Sequence, residues 1–135
     1  MAAAGLEAGA VYSYHYLWSR EADAGEESRR KSRPACLLIT LSGQADRLYM
    51  FAITSRPPAA GRIAEELNQL ECKRCGLTAP AWIMLDEFNV TPSQELHDFE
   101  SLRPLGKLSP AFCKAAISKA ILADRAERSR AVIRN

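Results

Sequence analysis

The sequence predicts a mainly β fold with helical additions, an α+β protein built on a small barrel or strongly bent sheet. Three observations carry this. Tyr12, Tyr14 and Tyr16 recur with period two, the repeat of a strand with one aromatic face. Two apolar runs, ACLLITL at 35–41 and RLYMFAIT at 47–54, flank the turn signal Ser42-Gly43 and read as a hairpin. Near the end, Ser109-Pro110 places a capping hydroxyl and a first-turn proline ahead of an amphipathic helix. Runs of strands followed by a helix give the α+β order.

The elements follow in chain order. Residues 1–8 are small and read as a frayed N-terminal segment. Val11–Leu17 is the first strand, with Ser13 and His15 on the face opposite the tyrosines. Residues 18–33 are polar, with Gly25 near the middle, and read as a long surface loop that Pro34 ends. After the hairpin, Arg56-Pro57-Pro58 stops the second strand, because proline cannot donate to a ladder. Residues 62–70 allow helix or strand, with composition favouring helix, and 81–85 is a short strand. Residues 86–108 are mixed, interrupted by Pro92, Pro104 and Gly106. Phe112, Ala116 and Ala120, flanked by Cys113, Ile117 and Ile121, form the helix stripe that packs on the sheet. A single domain over 9–124 and a basic tail at 125–135 are expected.

Composition narrows the function. The 135 residues carry a net charge of +2, which excludes a protein whose whole surface binds polyanions. The charge is uneven: residues 1–57 sum to +1, 58–113 to −3 and 114–135 to +4. A local basic groove therefore remains open. No apolar run reaches the ~18 residues of a membrane span, and no signal peptide is recognisable. A cytoplasmic protein with reduced thiols, no cofactor and no membrane contact is the expectation.

The candidate chemistry is sparse. Cys72-Lys73-Arg74-Cys75 has the spacing of half a zinc site, but Cys36 and Cys113 sit on apolar faces and His97 is not spaced as a partner. Buried, idle thiols are the simpler reading, and no metal is expected. His15 faces away from the tyrosines, so acid–base work is open to it. Asp86 and Glu87 are adjacent; on a strand they would point to opposite faces and could not share one site. Arg29-Arg30-Lys31-Ser32-Arg33 packs four cations into five residues, and the guanidinium fork suits phosphate. Thr54-Ser55-Arg56 adds two hydroxyls and another arginine. An antiparallel hairpin brings the start of one strand beside the end of the next, so Arg33 and Thr54 should be neighbours.

These segments carry a family resemblance. A glycine-led first strand (Gly9-Ala10-Val11-Tyr12) precedes a polar loop that ends Lys31-Ser32-Arg33-Pro34 before an apolar strand. Phe51-Ala52-Ile53-Thr54-Ser55 closes the next strand, and Gly106-Lys107-Leu108-Ser109-Pro110 introduces the last helix. Tyr14-His15-Tyr16-Leu17-Trp18 and the segment Trp82, Asp86, Glu87, Asn89 point to one branch. In order and spacing, over most of residues 9–122, the chain resembles the PemK/MazF family of type II toxin–antitoxin systems.

The resemblance implies an SH3-like β-barrel with a C-terminal amphipathic helix, forming a homodimer. It implies a metal-independent endoribonuclease that cuts single-stranded RNA and is neutralised by a cognate antitoxin protein. Catalysis in the family uses the loop arginine and the threonine after the third strand, which carry over to Arg33 and Thr54. Lys31, Ser55 and Arg56 would contact substrate, joined by Asp86 and Asn89. For the general base, His15 and Glu87 compete with Asp86. Ala10 stands where the family commonly has an aspartate. A non-catalytic barrel that binds a protein or nucleic acid, as gyrase-poisoning toxins of this fold suggest, is the alternative. A zinc or redox module on Cys72 and Cys75 is a third.

Overall fold

A computed structural model describes residues 6–23, 32–41 and 47–134. Its strands are β1 (Ala10–Tyr14), β2 (Arg33–Leu41), β3 (Arg47–Thr54), β4 (Ala64–Leu67), β5 (Ala81–Met84), β6 (Glu87–Pro92), β7 (Gly106–Lys107) and β8 (Arg130–Ile133). Its helices are α1 (Ser19–Asp23), α2 (Gln69–Arg74) and α3 (Pro110–Arg125). The protein is mainly β with a few helices, as the sequence predicts. The strands form one curled, largely antiparallel sheet in the order β4-β5-β3-β2-β1-β7, consistent with a small β-barrel.

β3 sets the curl. Its first half, Arg47 to Met50, pairs with β6, and its end, Ile53 and Thr54, pairs with β5. One strand edge thus serves two partners, which folds the sheet around it. A register shift in the β2–β3 ladder between Leu37 and Ile39 adds local twist. β8 joins the far side of β6 in parallel.

Each face of the sheet has its own core. Val11, Cys36, Phe51 and Ile53 meet α2 and α3 on one side, where Ala116 and Ala120 let α3 lie close. Tyr12, Tyr14 and Tyr16 pack with Met50, Ala52 and Phe99 on the other. The tyrosine period of two is therefore a core pattern, with Ser13 and His15 partly exposed as expected. The tyrosine hydroxyls find partners, as buried phenols must. Tyr14 Oη and Thr91 Oγ1 lie 2.6 Å apart, and Tyr16 Oη donates to Glu87 Oε2 at 3.1 Å. Ser109 caps α3, its Oγ accepting from the Phe112 N–H at 3.2 Å. Glu71, buried on α2, accepts from Ser109 N and Oγ and so ties the two helices together.

Four local readings change. The stretch 18–33, read as loop, contains α1. The Glu21 carboxylate reaches back to accept from the Trp18 N–H at 3.0 Å, which satisfies a free donor at the start of the helix. Residues 62–70, for which composition favours helix, divide into β4 and the start of α2. Asn68 makes the break, its side chain accepting from the Glu71 N–H. The mixed stretch 86–108 contains β6 and β7, and the basic tail contains β8. Gly106 in β7 is required by space: an added Cβ would press on the Arg74 carbonyl oxygen and lie 2.6 Å from Cys75 Cα. The expected Ser42-Gly43 turn and Lys31 lie outside the described residues. Among those residues, no helix is long and apolar enough to cross a membrane.

Candidate functional site

The hairpin builds the site. The β2–β3 register pairs Ala35 with Ala52, so two residues further along it sets Arg33 level with Thr54. Both line a cleft of about 650 Å³, together with Ser55 and Arg56. The neighbourhood expected from strand order is present. Ile53, Ala81 and Met84 supply apolar wall. The Thr54 hydroxyl oxygen accepts from the Arg56 N–H at 3.2 Å, which orients the hydroxyl and leaves its proton available to donate.

Three further residues enter the cleft that the sequence did not mark as site residues. Trp18 and Arg20 come from the entry to α1, and Arg62 from the approach to β4. The guanidinium carbons of Arg20 and Arg33 stand 5.5 and 5.2 Å from the centroid of the Trp18 ring, within cation–π range. Glu21 in the first turn, able to reach back to the Trp18 N–H, is the local signal that could have exposed α1. No local signal marks Arg62, because its partners lie more than twenty residues away.

Asp86 and Glu87 do share a site. Arg62 donates from Nε to Asp86 Oδ2 and from Nη2 to Asp86 Oδ1, both at 2.8 Å, and from Nη2 to Glu87 Oε1 at 3.2 Å. The opposite-faces argument holds only for a continuous strand. Here β5 ends at Met84, the chain bends at Asp86, and β6 begins at Glu87. Burial pushes the Asp86 carboxyl up, but the Arg62 fork and the Ile63 N–H outweigh it and hold the group below its ordinary value. The Arg62 guanidinium is raised in turn, chiefly by its bonds to Asp86. Glu87 also accepts from the Ser19 N–H and the Tyr16 hydroxyl, both at 3.1 Å. It therefore fastens α1, and with it Arg20, to the sheet. Neither carboxylate lines the cleft directly; Arg62 stands between.

The other expected residues lie elsewhere. His15 is outside the cleft lining. Its N–H donates to the Asp98 carbonyl at 2.7 Å and its own carbonyl accepts from Arg134 at 2.8 Å. Asn89 is fully buried, its amide accepting from the Leu17 N–H at 2.9 Å and donating to the Leu17 carbonyl at 2.8 Å. That pair of bonds imitates a strand partner and holds the extension of β1.

The thiols have a structural setting. Cys36, Cys72 and Cys75 are buried in the α3-side core, with Cys113 packed against it. Burial pushes the Cys75 thiol up to about 11, with the Glu71 carboxylate adding to the effect. A reactive cysteine needs the opposite shift. Among the described residues, no group of three or more His, Cys, Asp and Glu side chains could hold a metal ion.

The cleft is therefore a concave surface with four arginines and the hydroxyls of Thr54, Ser55 and Thr78. Among the described lining residues there is no carboxylate or imidazole. Such a surface can hold an anionic oxygen-rich ligand by charge and by bidentate hydrogen bonds. The chain matches no protein-family model and no curated protein.

Proposed function

We propose that the cleft binds the phosphodiester backbone of single-stranded RNA and that the protein is a metal-independent endoribonuclease of the PemK/MazF type on an SH3-like barrel. The observation that carries this reading is the joint presence of Arg33 and Thr54 in one cleft, the two positions to which the family's catalytic pair maps. In the reaction the RNA 2′-oxygen bonds to phosphorus and the bond to the 5′-oxygen breaks. Negative charge grows on the phosphoryl oxygens, and preorganised donors lower that barrier. Arg33 and Arg56 are the donors toward these oxygens, with Thr54 hydrogen-bonded to one of them. Arg62, kept protonated by Asp86 and Glu87, adds positive charge at the wall. With no carboxylate or imidazole among the described lining residues, the 2′-hydroxyl gives its proton to a solvent water and the departing 5′-oxygen takes one from solvent, while Asp86 and Glu87 act only by orienting Arg62.

A second reading rests on a specific observation: the described lining offers charge stabilisation without a carboxylate or imidazole base. On that reading the protein is a barrel that binds nucleic acid without cutting it. Partner binding would use a separate surface. A groove of about 460 Å³ between α3 and the sheet is lined by Tyr49, Phe51, Phe88 and Ile121. An antitoxin or a second copy would cover it.

Incubation with long single-stranded RNA in EDTA separates the readings. The nuclease reading expects discrete cuts, reduced at least about 100-fold in Arg33→Ala and Thr54→Ala. Binding with no cuts across varied sequences overturns it in favour of the second.

A further inference from the structure

Trp18 is a large aromatic side chain only 7% exposed, at the edge of a polar cleft. It is too buried to receive a base on its face. What it does meet is cationic: the guanidiniums of Arg20 and Arg33 both stand over its ring. The two guanidinium carbons can thus be separated by no more than the sum of their distances to one ring centroid. Like charges at that spacing repel in a cleft, and the negative face of the indole offsets part of the repulsion. Arg20 has no carboxylate within ion-pair distance among the described residues. The residues before it are held by the bond from the Trp18 N–H to Glu21 and by the bonds from Ser19 to Glu87.

We infer that Arg20 is a phosphate-binding residue and that Trp18 is the positioning residue that fixes it against Arg33, so that the pair grips neighbouring phosphates of one strand. The site then takes an extended single strand in preference to a mononucleotide. This rests on the nucleic-acid reading of the cleft and adds to it a ligand length and two residues.

A mixed-sequence 2′-O-methyl RNA 12-mer, which cannot be cut by its own 2′-hydroxyl, is the probe. Its affinity for the full chain is measured by fluorescence anisotropy at several KCl concentrations, beside a mononucleotide. The expected result is that Arg20→Ala weakens the 12-mer about tenfold at low salt. The slope of log affinity against log salt should fall by about 0.7, the share of one neutralised phosphate on a single strand. Lys114→Ala, which removes an exposed charge on α3 outside the cleft lining, should change neither. Trp18→Leu should weaken binding about fivefold with both arginines still present, and Trp18→Phe should restore most of it.

Emission supplies an independent reading. In a Trp82→Phe background Trp18 is the remaining one of the two tryptophans, and its fluorescence should change as the 12-mer saturates the protein. Silent emission at saturation overturns the role given to Trp18, even if Trp18→Leu fails to fold. An Arg20→Ala protein that matches Lys114→Ala in affinity and slope overturns the role given to Arg20. Mononucleotide binding as tight as the 12-mer overturns the extended-strand preference. Failure of the unmodified protein to bind the 12-mer at any salt concentration brings down the nucleic-acid reading itself.

Discussion

Arg62 and Arg134 each hold buried carboxylate oxygens, yet they face different media. The Arg134 side chain is 3% exposed and donates to Asp98 Oδ1 at 2.9 Å, to Asn89 Oδ1 at 3.0 Å and to the His15 carbonyl. The Arg62 side chain is 34% exposed and forms one wall of the cleft while its fork grips Asp86 and Glu87. The chemistry of the two clusters is the same. In one it is spent on joining β8, β6 and the extension of β1. In the other it keeps a guanidinium charged and oriented where a ligand can reach it. The difference teaches that ion pairing alone does not mark a functional site; the exposure of the cation does.

The comparison breaks most sharply at Arg134. Replacing it by alanine leaves Asp98 buried without its partner, and breaking a buried pair in this way costs ~3–5 kcal/mol. Urea unfolding monitored by circular dichroism checks this; a loss below about 1 kcal/mol would remove the distinction between the clusters. Arg62→Ala should cost less, about 1–3 kcal/mol, because water from the cleft can reach the vacated carboxylates. Its larger consequence should be weaker oligonucleotide binding at constant fold, a change Arg134→Ala should not show once the folded fraction is accounted for. Equal effects of the two variants on binding would contradict the contrast.

The smallest expected effect is on the acid limb of stability. The Asp86 carboxyl is held below its ordinary value, so the folded state binds its proton less readily than the unfolded chain. Its contribution is complete above the unfolded value of about 4 and disappears as pH falls through the lowered folded value. Arg62→Ala removes the main cause of the lowering and leaves burial to push the group up. The variant should therefore begin to gain stability relative to the unmodified protein while pH is still above about 4, as pH falls through its raised folded value, and go on gaining until the unmodified protein's lowered value is passed. Parallel pH–stability profiles for the two proteins would show that Asp86 does not feel Arg62.

Much of this was legible in residue order. The tyrosine period announced β1 and its buried face, because alternation survives whichever strands cover it. The hairpin placed Arg33 beside Thr54, since antiparallel register needs only local counting. The Ser109 cap set the start of α3. What stayed hidden depends on partners distant in sequence or on bends. Asp86 and Glu87 looked incompatible until the bend between β5 and β6 turned both toward Arg62. Arg20 looked like one polar loop residue until a five-residue helix lifted it over Trp18. Asn89 reads as a polar residue suited to a substrate, yet it is buried as a backbone surrogate for Leu17. Residues 130–133 read as tail because a short, mostly exposed parallel strand has no period to reveal it.

The bond from Arg134 to the His15 carbonyl joins residues 119 positions apart. Until residue 134 has been synthesised and has docked, that carbonyl, the Asn89 side-chain oxygen and Asp98 lack the donors that unite them. The segment leading into α1, which Asn89 and Glu87 also hold, thus gains this clasp only after most of the sheet has been made. Such long-range closure is slow relative to local pairing. On the growing chain the hairpin carrying Arg33 and Thr54 can therefore form before this clasp, so the cleft wall it builds should be in place before the bond from residue 134 is made.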